Sequence, residues 1–293
     1  MRCKMLCNNC PRKCNINRQF QFGYCKLSNK LRVALACLHY GEEPEISGEA
    51  GSGTIFFSGC NLSCVYCQNY NVSNKNFGIN ISVRRLAEIF KELEEKGANN
   101  INLVTPTPHV DKIVSALKIY RPKIPVIYNT SGYERPETIK SLAKYIDIYL
   151  TDLKYYKNEI SEKYSNCKDY FGITTEAIDQ MFQNQPKNIS RKGLLKKGVI
   201  IRHLVLPSCT DDSIKVLDWI HNNHPSATVS IMGQFTPCYQ CKEYPGINRK
   251  LKPIEYKRII NYATKLGIKG YMQDLNSATI NEIPKFDLSG VKK

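Results

Sequence analysis

From Thr54 onward the chain alternates short apolar runs with amphipathic stretches. Thr54–Ser58 (TIFFS) reads as a buried strand. Ser82 is placed to N-cap a helix in which Val83, Leu86, Ala87, Ile89, Phe90 and Leu93 recur at helical spacing, and Gly97 stops it. The alternation continues with Ile101–Thr105 as strand, Val110–Tyr120 as helix, Pro125–Thr130 as strand, Pro136–Lys144 as helix and Ile146–Asp152 as strand. Val199–Leu206 reads as strand and Asp212–Asn222 as a helix with Ile214, Leu217 and Ile220 on one face. Thr228–Met232 is strand, Ile254–Leu266 helix, and a short apolar stretch, Ile268–Met272, follows. Strand then helix, repeated about six times, argues an α/β fold with parallel strands. Right-handed crossovers leave a barrel or a doubly wound sheet, which periodicity does not separate. No GxGxxG opens the first unit, which counts against a dinucleotide-binding sheet.

Residues 1–45 break this pattern. They are poor in periodicity and dense in cysteine, and read as a small metal-binding segment. Gly48–Gly53 (GEAGSG) is a junction, residues 46–275 form the core domain, and residues 276–293 read as an irregular tail. A chain of 293 residues with 42% apolar content supports one large core plus a small appendage. A charged fraction of 23% excludes wholesale disorder. No run of about 18 apolar residues provides a membrane span. MRCKMLCNNC lacks the apolar stretch of a secretory signal, so the expected compartment is the cytoplasm, with no membrane partner. The net charge of +16 suits an acidic partner such as nucleic acid, although basic residues spread along the chain also serve solubility. Thirteen cysteines in a reducing compartment point to metal or redox chemistry rather than disulfides.

The densest chemistry follows the first strand of the alternation. Cys60, Cys64 and Cys67 are spaced x3 and x2 in GCNLSCVYCQN. Soft thiolates select zinc or iron–sulfur clusters. Three close ligands without a fourth leave one metal position open, as a catalytic metal requires. A zinc site completed by His109 or Cys238 is the alternative.

At these residues the chain resembles the radical S-adenosylmethionine superfamily, whose signature Cys-x3-Cys-x-aromatic-Cys falls on Cys60, Cys64, Tyr66 and Cys67. GSGTIFFSGCNLSCVYCQN, NLVTPT, VIYNTSGYE, DIYLTDLKYY and RHLVLP, together with the amino-terminal CNNCPRKC, resemble the pyruvate formate-lyase activating enzyme-like branch. The resemblance implies a partial (β/α)6 TIM-like barrel with chemistry at the C-terminal ends of the strands. It implies a [4Fe-4S] cluster on Cys60, Cys64 and Cys67, with S-adenosylmethionine chelating the fourth iron. One electron from a donor such as flavodoxin or ferredoxin would cleave the sulfonium to a 5′-deoxyadenosyl radical, which takes a hydrogen atom from the substrate. By the same resemblance Tyr66 packs at the adenine, and Asn129, Thr130 and Ser131 lie near the methionyl end. Lys154 neutralises the cofactor carboxylate, and Asp152 holds a polar partner or cation. A solvent-facing salt bridge is the plainer reading of Asp152 and Lys154, and a simple turn that of Asn129–Ser131. Neighbouring strand residues face opposite sides; the resemblance places Arg202 inside the barrel, leaving His203 as a core histidine. One departure stands out. Where many members end the second strand with Gly-Gly-Glu, this chain has Thr105-Pro106-Thr107, so Thr105 and Thr107 must substitute through hydroxyls and carbonyls. His109, just beyond, reads as a ligand or as a helix-start residue.

Cys7-x2-Cys10-x3-Cys14-x10-Cys25 forms a second set. It reads as a zinc knuckle, as a second iron–sulfur centre relaying electrons, or as unmetallated thiols. Cys238-x2-Cys241 is a metal pair, a redox pair or an accident of a loop. Cys3 and Cys37 are spare, and Cys167 and Cys209 are expected as small buried residues. Glu42-Glu43 is expected as a loop bearing solvated charge, and Arg191–Lys197 as a solvated basic stretch. No Walker loop and no serine nucleophile elbow occur. Three functions remain: a radical enzyme that activates a partner protein at a backbone glycine, a radical enzyme acting on RNA or another substrate, and a basic zinc-stabilised nucleic-acid-binding protein without enzymatic activity.

Overall fold

The sheet begins where the sequence pattern is weakest. Strand β1 (Leu31–His39) lies within the cysteine-dense segment and is followed by a single helical turn, α1 (Pro44–Ser47). Its residues Val33 to Ala36 are buried without alternation, so a period-two pattern could not reveal it. The structure, a computed structural model, describes residues 6–273 and 284–292. Cys3 and residues 276–283 of the expected tail lie outside the described residues.

The main series starts with β2 (Ser52–Phe57), α2 (Tyr70–Ser73), β3 (Ile79–Ile81) and α3 (Val83–Glu95). The Ser82 hydroxyl accepts the backbone N–H of Arg85 at 3.0 Å, and the apolar stripe of α3 is buried, as its spacing predicts. Then come β4 (Ile101–Val104), α4 (Val110–Ile119), β5 (Val126–Thr130), α5 (Pro136–Ser141) and β6 (Ile148–Asp152). Two helices that the sequence reading did not contain follow, α6 (Asn158–Ser165) and α7 (Tyr170–Asn184). The buried stripe of α7 runs Tyr170, Thr174, Ala177, Ile178, Met181, so a threonine and an alanine blur its apolar signal. The series closes with β7 (Ile189–Arg191), β8 (Leu194–Leu204), α8 (Thr210–Asn223), β9 (Thr228–Met232), α9 (Pro253–Lys265) and β10 (Lys269–Met272).

Strands β2, β4, β5, β6, β8 and β9 lie side by side in parallel, forming the partial (β/α)6 barrel. Strand β10 extends it in parallel beyond β9, and β1 and β3 extend it antiparallel beyond β2. Alternate residues divide the strands between two environments. Val126, Tyr128, Tyr149, Val199 and Ile201 pack outward against the helices. Ile127, Ile148, Leu150 and Ile200 point inward, where Ile46 of α1 and Leu195 complete an apolar plug. A fully buried isoleucine contributes about 2–3 kcal/mol, so this one-turn helix is held by its side chain rather than its backbone. Above the plug the inward positions become polar, at Asn129, Asp152 and Arg202.

The described C-terminal residues are irregular in backbone, yet docked. The Leu288 N–H donates to the Ala34 carbonyl at 3.2 Å and the Ala36 N–H to the Ser289 carbonyl at 2.9 Å, so the segment lies along β1. Gly290 has φ +68, and a β-carbon there would sit 2.1 Å from the Ala36 carbonyl oxygen, so only glycine fits. Among the described residues no helix is long and apolar enough to cross a membrane.

Candidate functional site

Gly59, at φ +79, turns the chain sharply off the end of β2 and starts the loop that carries the three cysteines. Each thiol meets a polar neighbour. The Leu62 N–H donates to Cys60 Sγ at 3.4 Å and the Ser165 hydroxyl to Cys64 Sγ at 2.9 Å, while Ser73 Oγ lies 3.2 Å from Cys67 Sγ. Burial raises all three thiol pKa values, Cys67 to about 11, and the Cys64 thiolate next to Cys60 and Cys67 pushes in the same direction. Iron–sulfur clusters are held by cysteine thiolates and tuned by donors to sulfur; three thiols on one loop, each beside a hydrogen-bonding group, fit the chemistry of a [4Fe-4S] cluster.

The two residues of the zinc alternative have other partners. His109 is buried with Nε2 3.0 Å from the Ser58 carbonyl, and burial lowers its pKa to about 4. Cys238 Sγ points to the Tyr66 carbonyl at 3.3 Å, and the Gln240 N–H donates to the Val65 carbonyl at 2.9 Å, so the Cys238–Cys241 turn packs under the cysteine loop.

Beside the thiols a cavity of about 260 Å³ is walled by Cys64, Cys67, Tyr66, Asp152, Lys154 and Arg202. Lys154 Nζ lies 2.5 Å from one oxygen of Asp152, and Arg202 Nε 3.0 Å from the other. Asp152 and Lys154 are 13% and 15% exposed at the side chain, so this is not the solvent-facing pair that the plainer reading supposed. Burial alone would raise the Asp152 pKa, but Lys154 and then Arg202 overcome it and the carboxyl is lowered. Burial would likewise lower Lys154, and Asp152 reverses the shift upward. Arg202 also reaches Asn129 Oδ1 at 2.6 Å and Glu42 at 3.2 Å.

Glu42 is the residue that sequence reasoning misplaced. Expected in a solvated loop, it enters the barrel, accepts Asn102 Nδ2 at 2.9 Å and Asn129 Nδ2 at 3.3 Å, and pairs with Arg202. Glu43 is also buried, and burial raises its pKa against the pull of Arg202. The correction has a simple cause: an unpaired glutamate stays in water, but a guanidinium inside the barrel makes its burial affordable. Two carboxylates, Glu42 and Asp152, thus face two cations, Arg202 and Lys154.

The expected residues divide by face. Asn129, Asp152, Lys154 and Arg202 converge on the barrel interior, and Tyr66 joins them, with its hydroxyl 2.5 Å from that of Tyr155. Thr130 turns to the outer face, where its hydroxyl and that of Thr107 each donate to Glu134 at 2.5 Å. The Ser131 carbonyl accepts from the Tyr170 hydroxyl at 2.7 Å. Thr105 follows β4 in the left-handed region at φ +58, with its N–H on the Asn129 carbonyl. His203 faces outward, buried between the Leu153 carbonyl at 2.7 Å and Ser213 Oγ at 2.9 Å. Cys167 is buried as expected, whereas Cys209 is partly exposed at the start of α8.

A larger cavity of about 990 Å³ shares Gln68, Asn69, Arg202 and Gln234 with the smaller one, and the C-terminal residues Lys285 and Asp287 form part of its wall. No motif pointed to Gln234 or the C-terminal wall, and Gln68 was given no role within its motif.

The family model of the Radical SAM superfamily matches residues 54–220. The uncharacterized protein MJ0674 of Methanocaldococcus jannaschii is 35% identical over 277 residues, covering 89% of this chain and 75% of its own. Among solved structures, native anSMEcpe with bound AdoMet matches with a TM-score of 0.51 at 15% identity, over 79% of this chain and 62% of that one. SuiB of Streptococcus suis matches at 0.49 and 13% identity, over 80% of this chain and 52% of that one. The chain thus spans little more than half the length of these two solved chains. With the thiol trio after the first parallel strand and the family model over more than half of its length, the chain belongs to the radical SAM superfamily, whose members use a [4Fe-4S] cluster and S-adenosylmethionine.

Proposed function

We propose that the chain is an activating enzyme-like radical protein that takes a hydrogen atom from a backbone glycine of a partner protein. The observation that carries the radical half is that Cys64 and Cys67 of the thiol trio share one cavity wall with Lys154, Asp152 and Arg202. When bound, the cluster and S-adenosylmethionine supply one-electron reductive cleavage and hydrogen-atom abstraction. The residues position the cofactor. Lys154 neutralises its carboxylate, Asp152 fixes the Lys154 ammonium and the Arg202 guanidinium, and Asn129 offers an amide to its methionyl end. Tyr66 supports the adenine. Glu42 brings into the barrel a carboxylate that the end of β4 lacks. The apolar plug below keeps water from entering through the barrel floor.

The peptide half is supported by the motif resemblance and by the chemistry of the larger cavity. Gln68, Asn69, Asn129, Gln234 and Gln273 line it. Each amide carries a donor and an acceptor, the complement of a peptide backbone. A phosphodiester would call for free cations; in this wall Arg202 is committed to carboxylates, and Lys285 shares it with Asp287 and Glu42.

The test is anaerobic reconstitution with iron and sulfide, followed by a 5′-deoxyadenosine assay with dithionite. Cys64→Ala abolishes the product and Cys167→Ala retains it. Equal activity of the two variants contradicts the radical reading. Deuterium moving from a glycine-labelled partner polypeptide into 5′-deoxyadenosine supports the peptide reading; deuterium arriving only from labelled RNA overturns it.

A further inference from the structure

The loop of Cys60, Cys64 and Cys67 is braced by a helix that the sequence reading did not contain. Helix α6 ends on Ser165, and Asn166 stops it in the left-handed region at φ +50. Two backbone bonds seat the loop on that helix end. The Val65 N–H donates to the Tyr164 carbonyl at 2.9 Å and the Ser63 N–H to the Ser165 carbonyl at 3.3 Å. The lobe of Cys7, Cys10, Cys14 and Cys25 holds the same loop from its own side, with Arg12 Nε on the Asn61 carbonyl at 2.8 Å and the Tyr24 hydroxyl on Ser63 Oγ at 3.1 Å. Cys64 therefore meets the Ser165 side chain in a fixed geometry.

Ser165 is fully buried, and its hydroxyl lies 2.9 Å from Cys64 Sγ and 2.6 Å from the hydroxyl of Tyr155. The Tyr155 hydroxyl lies 2.5 Å from that of Tyr66. Tyr155 follows Lys154 in the DLKYY run, but Lys154 walls the cavity while Tyr155 turns into the core. One proton per hydroxyl fixes the direction of the whole chain. A metal-bound sulfur is a thiolate, which accepts and does not donate. Ser165 therefore gives its proton to Cys64, so its oxygen accepts from Tyr155. Tyr155 has then no second proton to give, and accepts from Tyr66. Three buried hydroxyls in a row thus aim their protons at one sulfur. Each polarises the next, so the last donor is stronger than a serine alone. The other two sulfurs have different neighbours: Cys60 meets the Leu62 amide, and Cys67 the partly exposed Ser73.

Hydrogen bonds to the ligand sulfurs are one of the levers that set the potential of an iron–sulfur cluster. Reduction adds a negative charge, which burial in an apolar wall opposes. A proton aimed at a ligand sulfur favours the more negative state and offsets that cost. We propose that Ser165, aligned by Tyr155 and Tyr66, is a positioning residue for electron entry, and that through Cys64 it raises the reduction potential of the cluster. The inference rests on the reading of Cys60, Cys64 and Cys67 as cluster ligands.

The experiment compares the full wild-type chain with Ser165→Ala and Tyr155→Phe, each reconstituted anaerobically with iron and sulfide. The midpoint potential is read by redox titration of the low-temperature electron paramagnetic resonance signal that Cys64→Ala loses, with no S-adenosylmethionine added. Ser165→Ala should make the cluster about tenfold harder to reduce, a fall of about 59 mV for one electron, at unchanged iron per chain. Tyr155→Phe leaves Ser165 on the sulfur without its support, and should lower the potential in the same direction by less. A serine that only packs would change iron content or stability and leave the potential where it was. Equal potentials in all three proteins, or a rise in Ser165→Ala, overturn the proposal. Should Ser165→Ala not take up iron, Tyr155→Phe decides: a lowered potential supports the chain of hydroxyls and an unchanged one contradicts it. Wild type that makes 5′-deoxyadenosine, with a potential equal to that of both variants, sinks this proposal alone. A cluster signal that Cys64→Ala leaves intact sinks the ligand reading, and the proposal with it.

Discussion

Glu134 shows what a single buried carboxyl does to this protein. Two threonine hydroxyls hold one of its oxygens, and its other oxygen has no partner among the described residues. Burial raises its pKa to about 7, despite the lowering by the Thr107 and Thr130 hydroxyls. The folded state therefore keeps a proton that the unfolded chain releases near pH 4.5. Its favourable contribution is full below that point and is lost as pH rises through about 7. Glu134→Gln keeps the carbonyl acceptor and removes the charge. It should stabilise the protein at pH 8 by up to about 3 kcal/mol and leave stability at pH 4 nearly unchanged, as read by urea denaturation. An equal effect at both pH values contradicts the argument. At this scale the sequence was legible where chemistry demands a spacing, as at Cys60, Cys64 and Cys67. It was not legible at Glu42, whose burial depends on Arg202, 160 positions away. Nor was it at Thr130, expected near the cofactor yet turned to Glu134 by strand alternation that places Asn129 inside.

Among elements, the C-terminal segment is the one whose attachment rests on few groups. Arg85 of α3 donates to the carbonyls of Val291 and Gly290, both at 3.1 Å, while Glu92 holds the same guanidinium at 2.9 Å. Phe286 meets Phe56 edge to face at 5.4 Å. Each hydrogen bond to a charged group contributes about 1.5–3 kcal/mol, so Arg85→Ala should release residues 284–292 without unfolding the barrel. The measurement is hydrogen exchange: faster exchange at the Leu288 amide, with the amides of β5 and β6 unchanged, is expected. Uniform acceleration across the chain would mean that Arg85 supports the core instead. The alternation of β2, α3, β4, α4, β5, α5, β6, β8, α8 and β9 was legible because these helices have one apolar face and these strands are apolar runs. Strand β1 was hidden by burial of consecutive residues, and α7 by threonine and alanine within its stripe.

The whole molecule is a partial barrel with an apolar floor, a charge-balanced polar middle and a thiol-lined mouth. The fold class was readable from the order of elements, and the family from one loop. Of the barrel's contents, Asn129, Asp152, Lys154 and Arg202 were readable; the rest was not, since it comes from α1, from the Glu42 loop and from the C-terminal segment, which meet only after folding. The net charge of +16 is a property of the surface rather than of this interior, where Lys154 and Arg202 are matched by Asp152 and Glu42. On the proposed function, Cys60, Cys64 and Cys67 would hold a metal whose open position faces a cofactor bound by Lys154. The most direct measurement is low-temperature electron paramagnetic resonance of the dithionite-reduced holoenzyme before and after addition of S-adenosylmethionine. A changed spectrum in the wild type, absent from Cys64→Ala, is the result this account predicts. A wild-type spectrum that saturating S-adenosylmethionine leaves untouched would contradict it.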